Sequence, residues 1–319
     1  MSINCWMQKR IVANNAYTIY LGTGLNYAGI LKKSTNYGSS WSTIGSFANK
    51  IRCVGANSAA ILVGSLYGWS SCSTDGGANW TEIDVFSSAN IRVFGDVFYT
   101  VSDSYTSGLW TSSDGTTWAQ NNQITVDCSD VFVDGTNIYV AGSDGLYIST
   151  NSGTSFSKKT TTAGLGSNTC YAVLVAGSTI WVGTLGGISK STNGGTSFTN
   201  YTTSNGLADN QSYRLEYDSS SGIIYSVKSA TNAGMSYSTN GGTSWSIINL
   251  DIKIFSDQSL NALAYKNGRI YVAGSGHDDP GNVMGYSDNQ GSSWSYITKT
   301  IIDAIDAQEV TSGNSIFII

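Results

Sequence analysis

Short runs of apolar or alternating residues, each bounded by glycine, asparagine or serine, follow one another along the whole chain. Residues 90–95 (NIRVFG) and residues 97–102 (VFYTVS) are one such pair, separated by a single residue. Runs of this length and spacing are typical of β-strands joined by tight turns. We therefore expect an all-β protein.

An eight-residue segment that begins with serine or threonine and ends in tryptophan or phenylalanine recurs seven times. The terminal aromatic residues are 38 to 49 positions apart. Self-similarity at such a period indicates an array of equivalent supersecondary units. The octamers occupy residues 34–41, 73–80, 111–118, 149–156, 191–198, 238–245 and 287–294.

Each octamer has the composition of a hairpin turn. A short aspartate or asparagine side chain caps backbone N–H groups, glycine adopts a positive φ, and the aromatic residue anchors the next strand. In the third copy Ser113 stands at the acidic position, with Asp114 beside it. We assign a structural role to Asn36, Asp75, Asp114, Asn151, Asn193, Asn240, Asn289, Trp41, Trp80, Trp118, Phe156, Phe198, Trp245 and Trp294.

Four strands fit in each period, two before the octamer and one on either side of it, which is the pattern of a β-propeller blade. Eight first strands and eight second strands accompany only seven octamers. We predict one domain over residues 1–319, with eight blades. The last blade would combine C-terminal strands at 308–310 and 315–319 with an N-terminal strand at 3–7. The alternative is seven blades, with the extra strand pair outside the ring or docked on another subunit.

The octamers resemble the Asp-box, or BNR, repeat (Ser-x-Asp-x-Gly-x-x-Trp) of sialidases, sortilin-type receptors, xyloglucan hydrolases, bacterial lectins and a photosystem II assembly factor. The resemblance covers nearly the whole chain, although most copies carry asparagine in place of aspartate. Residues 164–168 and 179–184 are also similar to propeller repeats of two-component sensor ectodomains. Both resemblances imply a β-propeller.

Composition limits the location and the partners of the protein. Only 12% of its residues are charged and its net charge is -5, whereas ordinary soluble domains carry about 25% charged residues. This composition suits all-β proteins of cell exteriors and virion or particle surfaces, although residues 1–10 are not a signal peptide and a cytoplasmic location stays open. No basic stripe predicts nucleic acid as a partner, and no apolar run is long enough to span a membrane.

The five cysteines, Cys5, Cys53, Cys72, Cys128 and Cys170, have neither paired nor metal-binding spacing. We expect reduced, mostly buried thiols. No cofactor is indicated. No metal site is predicted either, because each octamer turn offers one carboxylate or amide whereas calcium takes six to eight oxygen ligands.

Arginine provides the best candidate for a binding site. Arg10, Arg52, Arg92 and Arg214, four of five arginines in the chain, align at one register of the first strands, with Asp130 at the same register and Glu216 two residues beyond Arg214. If this register faces the axial channel, the guanidinium groups would hold a carboxylate, sulfate or phosphate. The alternative is that these side chains bridge neighbouring blades.

The long loops that precede blades 5, 6 and 7 provide a second candidate, because insertions in a scaffold often carry function. They span residues 158–168, 200–211 and 247–259. A loop with the only histidine lies on the same predicted face. The side chains suited to sugar contacts are Tyr201, Phe255, His277 and Asp278.

These features favour a non-catalytic module that binds a glycan or another anionic ligand, or a protein. One alternative is an assembly platform that forms homo-oligomers through its terminal strands. Another is a sialidase-like enzyme, but ordinary glycosidases need two carboxylates around the scissile bond. The chain has three glutamates, Glu82, Glu216 and Glu309, and no spacing identifies a catalytic pair. The sequence assigns no catalytic residue, ligand, organism or oligomeric state.

Overall fold

The computed structural model describes residues 18–25, 28–35, 42–49, 51–65, 70–83, 88–102, 106–227, 234–248, 259–266, 269–275 and 282–298. These residues form seven antiparallel sheets in which each strand pairs with the next in chain order. Three strands make up the first sheet as described, and four make up each of the other six. The predicted all-β class is confirmed.

The strands of the first four sheets are β1 (Ile19–Leu25), β2 (Ala28–Ser34) and β3 (Ser42–Phe47); β4 (Ile51–Ala56), β5 (Ile61–Ser65), β6 (Ser70–Ser73) and β7 (Thr81–Ile83); β8 (Ser88–Phe94), β9 (Val97–Ser102), β10 (Gly108–Ser112) and β11 (Ala119–Gln120); and β12 (Cys128–Asp134), β13 (Asn137–Gly142), β14 (Gly145–Ser149) and β15 (Ser157–Lys159).

The last three sheets contain β16 (Cys170–Ala176), β17 (Thr179–Thr184), β18 (Gly187–Ser191) and β19 (Thr199–Tyr201); β20 (Arg214–Asp218), β21 (Ile223–Val227), β22 (Met235–Ser238) and β23 (Ser246–Ile248); and β24 (Ser259–Lys266), β25 (Arg269–Ser275), β26 (Asn282–Ser287) and β27 (Ser295–Thr298). Two 3-10 helices, Thr161–Ala163 and Thr203–Asn205, precede the fifth and sixth sheets. Across the described ranges, no helix has the length and apolarity to cross a bilayer.

The first strands lie at the inner side of the assembly. From β4 to β24, the first strand of each sheet contacts the first strand of the next. Hydrophobic clusters fill the spaces between successive sheets, as where Tyr139 and Leu146 pack with Val173 and Ile180. Since each sheet from the second to the sixth packs against a neighbour on both faces, the sheets radiate from a common inner side and the first strands form its wall.

Each octamer described in full lies between the third and fourth strands of its sheet. In the fifth sheet the Ser191 hydroxyl donates to Asn193 Oδ1 at 2.8 Å and accepts from Gly195 N at 2.9 Å, while Asn193 Oδ1 accepts from Ser197 N at 3.0 Å. Three local polar groups thus satisfy the turn internally. Asn36 and Trp41 of the first octamer lie outside the described residues.

The third octamer turn is one residue shorter than the others. Its serine is Ser112, whose hydroxyl accepts from Gly115 N three residues later, whereas the Ser191 hydroxyl accepts from the residue four positions later. Asp114 Oδ1 accepts from Ser112 Oγ at 3.0 Å and from Thr117 N at 2.7 Å. The turn therefore starts at Ser112 and not at Thr111. Asp114 lies two residues after Ser112, as Asn193 lies two residues after Ser191, so Asp114 occupies the acidic position of this turn. Ser113 does not replace the acidic residue.

The strands that decide how the ring closes lie outside the described residues. These are the predicted strands at 3–7, 10–12, 308–310 and 315–319. Strands β1 to β3 match the second, third and fourth strands of the first predicted period. Eight blades with a shared last blade therefore stay a prediction, with seven blades as the alternative.

Four cysteines, Cys53, Cys72, Cys128 and Cys170, are free and buried. Burial raises the pKa of Cys128 to about 12, and the charges of Asp144 and Asp127 add to the shift. A thiol held protonated in this way is a poor nucleophile and packs as a small apolar side chain. Cys5 lies outside the described residues.

Candidate binding site at the inner strands

Asp130 on β12 connects three successive sheets through its carboxylate. Oδ1 accepts from Asn90 Nδ2 at 2.8 Å, from Arg92 Nε at 3.2 Å and from Val131 N at 2.9 Å. Oδ2 accepts from Val173 N at 3.2 Å and from Arg92 Nη2 at 3.4 Å. The side chain is 2% exposed. With its lone pairs occupied and no access to solvent, Asp130 holds the inner strands together and has no capacity left for a ligand.

Arg92 on β8 is the cationic partner of Asp130. Its guanidinium spans both carboxylate oxygens, and 26% of its side-chain surface is exposed. Burial acts to lower the pKa of Arg92, but the charges of Asp130 and Glu216 outweigh burial and raise it. The bridging interpretation therefore describes this arginine, whose charge is directed at the neighbouring sheet.

Arg214 begins β20 and donates from Nη1 to the carbonyl oxygen of Tyr213 at 2.9 Å. Burial lowers its pKa to about 10; the charge of Asp130 opposes the shift, and the charges of Arg92 and Arg52 add to it. The group stays cationic at neutral pH. Arg92 and Arg52 therefore both lie within electrostatic reach of Arg214 at the inner strands.

Glu216 lies two residues beyond Arg214 and so points to the same face of β20. Burial raises the pKa of its carboxyl to about 7; the charge of Asp130 adds to this shift, while those of Arg92 and Arg214 oppose it. The side chain is only partly buried. Glu216 is therefore an accessible acid that is divided between its two protonation states near neutral pH.

Strand pairing gives each inner strand an equivalent position. In each sheet, the octamer serine pairs with one residue of the second strand. Three residues later, the second strand pairs with a residue of the first strand, which we call the anchor. In the fourth sheet, for example, Ser149 pairs with Ile138, and Ala141 pairs with the anchor Asp130. The anchors are Cys53, Asn90, Asp130, Ala172, Arg214 and Ala262.

The predicted common register of the arginines is wrong. Arg52 precedes its anchor by one residue, Arg92 follows its anchor by two, and Arg214 is itself an anchor. Unequal loops make the spacing along the chain an unreliable guide to pairing, and Arg52 is itself the residue that a bulge leaves out of the ladder. The arginines nevertheless lie together, since each belongs to an inner strand or its bulge.

The described residues form a cluster of mixed charge. Arg92 and Arg214 interact with Asp130 and Glu216, and the charge of Arg52 acts on Arg214. Asn90, which sequence reasoning missed, is part of the same network. The sequence signal for Asn90 was its place two residues before Arg92. The remaining predicted arginine, Arg10, lies outside the described residues.

The loop candidates do not form a second site among the residues that the structure describes. Tyr201 belongs to β19, pairs with Ile188 and packs against the cluster between the fifth and sixth sheets. The loop before the fifth sheet buries Leu165, and its Ala163 carbonyl accepts from Phe198 N at 2.8 Å. These loops serve packing. Phe255, His277 and Asp278 lie outside the described residues.

The cluster lacks the arrangement that a glycosidase needs. Asp130 is saturated with hydrogen bonds, so Glu216 is the one carboxyl of the described cluster that is accessible for proton transfer. Two carboxyl groups flank the bond in ordinary glycoside hydrolysis. Within the described ranges, no group of three or more histidine, cysteine, aspartate or glutamate residues is arranged to hold a metal ion.

Comparison with known proteins identifies the architecture. No protein-family model and no curated protein matches the sequence. Among solved structures, YCF48 bound to D1 peptide is similar at a TM-score of 0.58 and 14% identity, over 86% of this chain and 97% of the other.

Two further structures resemble the chain over most of its length. The extracellular domain of the putative hybrid two component system BT3049 from B. thetaiotaomicron has a TM-score of 0.63 at 12% identity, over 79% of this chain and 34% of its own. The GH74 xyloglucanase from Xanthomonas campestris has a TM-score of 0.53 at 13% identity, over 87% of this chain and 58% of its own. At such identities the likeness concerns the fold, and that fold is the β-propeller. The chain is an all-β protein with a β-propeller fold.

Proposed function

We propose that this chain is a non-catalytic binding module that recognises an anionic group at the inner strands. The observation that supports this function is the grouping of Arg52, Arg92 and Arg214 in one partly accessible cluster, where the Asp130 carboxylate is saturated with hydrogen bonds. Glu216 supplies at most part of a second negative charge near neutral pH. Among the described residues of the cluster, three guanidinium groups thus accompany two carboxyl groups.

Guanidinium groups suit this role. Their planar donors match carboxylate, sulfate and phosphate oxygens, and partial burial strengthens the attraction because the local dielectric is lower than that of water. We propose Arg52 and Arg214 as the ligand contacts, with Glu216 beside Arg214; a guanidinium has five N–H donors, so a ligand need not displace the contacts that these side chains already make. We propose acidic glycans as the ligand class. We also propose that the protein is exposed on the surface of a cell or of a virion-like particle.

A glycan array that includes sialylated, sulfated and neutral sugars tests the proposal. Arg52→Gln should remove binding to the anionic sugars. Lys158→Gln is the matched control, because Lys158 carries the same charge but pairs with Asp144 on an exposed part of the fourth sheet. Equal loss in both variants would show a general charge effect and contradict an inner-strand site.

An assembly role is the second candidate, supported by the structure of YCF48 with a D1 peptide, which shows that a protein of similar fold binds a peptide. We place the contact at the C-terminal segment, residues 304–319, where the predicted half-blade leaves unpaired strands. Solution mass before and after deletion of this segment tests it: a fall in mass supports the assembly role, and an unchanged mass contradicts it.

The octamers are proposed to be Asp-box turns, on the strength of the hydrogen bonds of Ser191, Asn193 and their equivalents.

A sialidase-like activity is the third candidate function. Turnover of a fluorogenic glycoside that is abolished by Glu216→Gln would support it, since Glu216 is the accessible carboxyl of the described cluster.

A further inference from the structure

A β-bulge recurs at one place in the inner strands. In five of the six described first strands, pairing with the second strand skips one residue immediately before the anchor. A bulge leaves the extra residue out of the ladder and redirects its side chain. The skipped residues are Arg52, Ala89, Ser129, Tyr171 and Asn261.

The bulge residues whose side chains are described are accessible, although both flanking residues are buried. This holds for Arg52 in β4, for Ser129 in β12 and for Tyr171 in β16. The buried residues on either side of the bulge are a constant feature of these strands, whereas the bulge residue itself is a cation in β4, a hydroxyl in β12 and an aromatic ring in β16. Variation at an accessible position of an otherwise uniform repeat is the pattern of a contact surface.

One bulge residue, Tyr171, stacks on the equivalent residue of the adjacent sheet, Tyr213, in a strand that has no bulge. Tyr213 precedes its anchor Arg214 as Tyr171 precedes Ala172, and the two tyrosine rings stack with centroids 4.1 Å apart at an interplanar angle of 19°. The Tyr213 carbonyl holds the Arg214 guanidinium, and the charge of Arg52 acts on Arg214. We call Arg52, Ser129, Tyr171 and Tyr213 the mouth ring, because they mark the starts of the inner strands.

We infer that the mouth ring is a binding site for a six-membered ring that carries a carboxylate directly on the ring. The inference rests on the proposed function and specifies its ligand. The stacked tyrosines, both partly exposed, offer a flat face for the ligand ring, Arg214 beside Tyr213 offers donors to its carboxylate, and Arg52, whose charge reaches Arg214, adds to the attraction. Uronic acid sugars and aromatic carboxylates share this chemistry.

Titration calorimetry at fixed ionic strength tests the inference with four probes. Glucuronate and benzoate carry both ring and charge, acetate carries the charge alone, and glucose carries a ring alone. We expect at least one of the two ring carboxylates to bind about tenfold more tightly than acetate, and glucose to bind more weakly than that ligand. Which of the two binds better distinguishes a sugar from an aromatic ligand.

Three variants locate the stacking surface. Tyr171→Leu should bring the affinity ratio of ring carboxylate to acetate close to one without changing acetate binding, whereas Tyr171→Phe should keep the ratio. Tyr237→Leu is the control, because Tyr237 packs against a cluster between the sixth and seventh sheets. Circular dichroism and thermal unfolding establish that each variant is folded.

Two results would overturn the inference in different ways. If folded Tyr171→Leu keeps the wild-type ratio, or if acetate binds as tightly as both ring carboxylates, the mouth ring does not select the ligand although the anion site stands. If neither acetate nor either ring carboxylate binds to the wild-type chain, the proposed function fails and the inference fails with it.

Discussion

The Asn90 amide of the third sheet donates a 2.8 Å hydrogen bond to the Asp130 carboxylate of the fourth sheet, in a contact that is fully buried. Arg92 reaches the same carboxylate from the same strand, and Val173 N reaches it from the fifth sheet. One acidic side chain thus joins three consecutive blades at their inner strands.

Replacing Asp130 should destabilise the fold. Asp130→Asn removes the charge that balances Arg92 and substitutes two donors for one of the acceptor oxygens, so we expect a loss of about 3 kcal/mol in the free energy of unfolding. Urea denaturation measures this loss. Asp144→Asn is the matched control, since Asp144 and Lys158 form an exposed ion pair, and it should cost about 1 kcal/mol or less. Equal losses in the two variants would contradict the role of Asp130 as a connection between blades.

Glu216 should make stability depend on pH between about 4.5 and 7. Its pKa is raised from 4.5 to about 7, mainly by burial, so the folded state favours the protonated carboxyl. The stabilisation is complete below pH 4.5 and is lost as the pH rises through 7. Glu216→Gln should lack this loss and be the more stable form above pH 7. Chemical denaturation of both proteins across this range measures the difference, and parallel curves would show that Glu216 does not titrate there.

Protonation of Glu216 should also strengthen the binding of anions. An ionised Glu216 competes with a ligand for Arg214, and a protonated one does not. Affinity for a strong-acid anion such as sulfate should rise as the pH falls from 8 to 6, by an amount that Glu216→Gln abolishes. A rise of equal size in the variant would assign the pH dependence to another group.

The octamer turns should differ in their sensitivity to acid. The Asn79 backbone N–H, followed by the Asn79 and Ser73 side chains, lowers the pKa of Asp75 from 3.8 to about 2. Its contribution to stability is therefore present above about pH 3.8 and is lost as the pH falls through 2. Asp75→Asn should reduce the acid sensitivity of unfolding. Asn193→Asp, at the equivalent position, should increase it, and acid unfolding followed by tryptophan fluorescence distinguishes the two.

Two neighbouring glycines of the fifth turn should respond differently to alanine. Gly194 and Gly195 both have positive φ, 67° and 82°. A Cβ at Gly194 would meet nothing within 4 Å, whereas one at Gly195 would lie 2.4 Å from Ile148 Cδ1 in the preceding sheet. We expect Gly194→Ala to cost about 1 kcal/mol and Gly195→Ala about 3 kcal/mol, as backbone strain in the first and strain plus overpacking in the second. Equal thermal shifts would show that the turn does not pack against its neighbour.

The repeat period predicted the architecture because every blade uses the same local interactions. Serine, a short acidic or amide residue and glycine satisfy one another within a few positions, as Ser191, Asn193 and Gly195 do, and the strands follow from alternation between turns. Such short-range relationships can be read along the chain. The strands of the described ranges, and therefore the all-β fold, follow from them.

The candidate site was only partly predictable. The spacing along the chain grouped the correct arginines but gave Arg52 and Arg92 the wrong register, because the number of residues between an octamer turn and the next anchor differs from blade to blade. Asn90 and the stacked pair Tyr171 and Tyr213 were missed, since their partners lie about 40 positions away on adjacent sheets.

By itself, the sequence determined the strands, the turns and their repetition, because these depend on residues close together in the chain. The tertiary structure alone decided that Asp130 is saturated, that Arg92 is committed to it, and that the carboxyl of Glu216 has a pKa near 7. Burial and the charges of other blades set those properties, and both arise only when the inner strands are brought together.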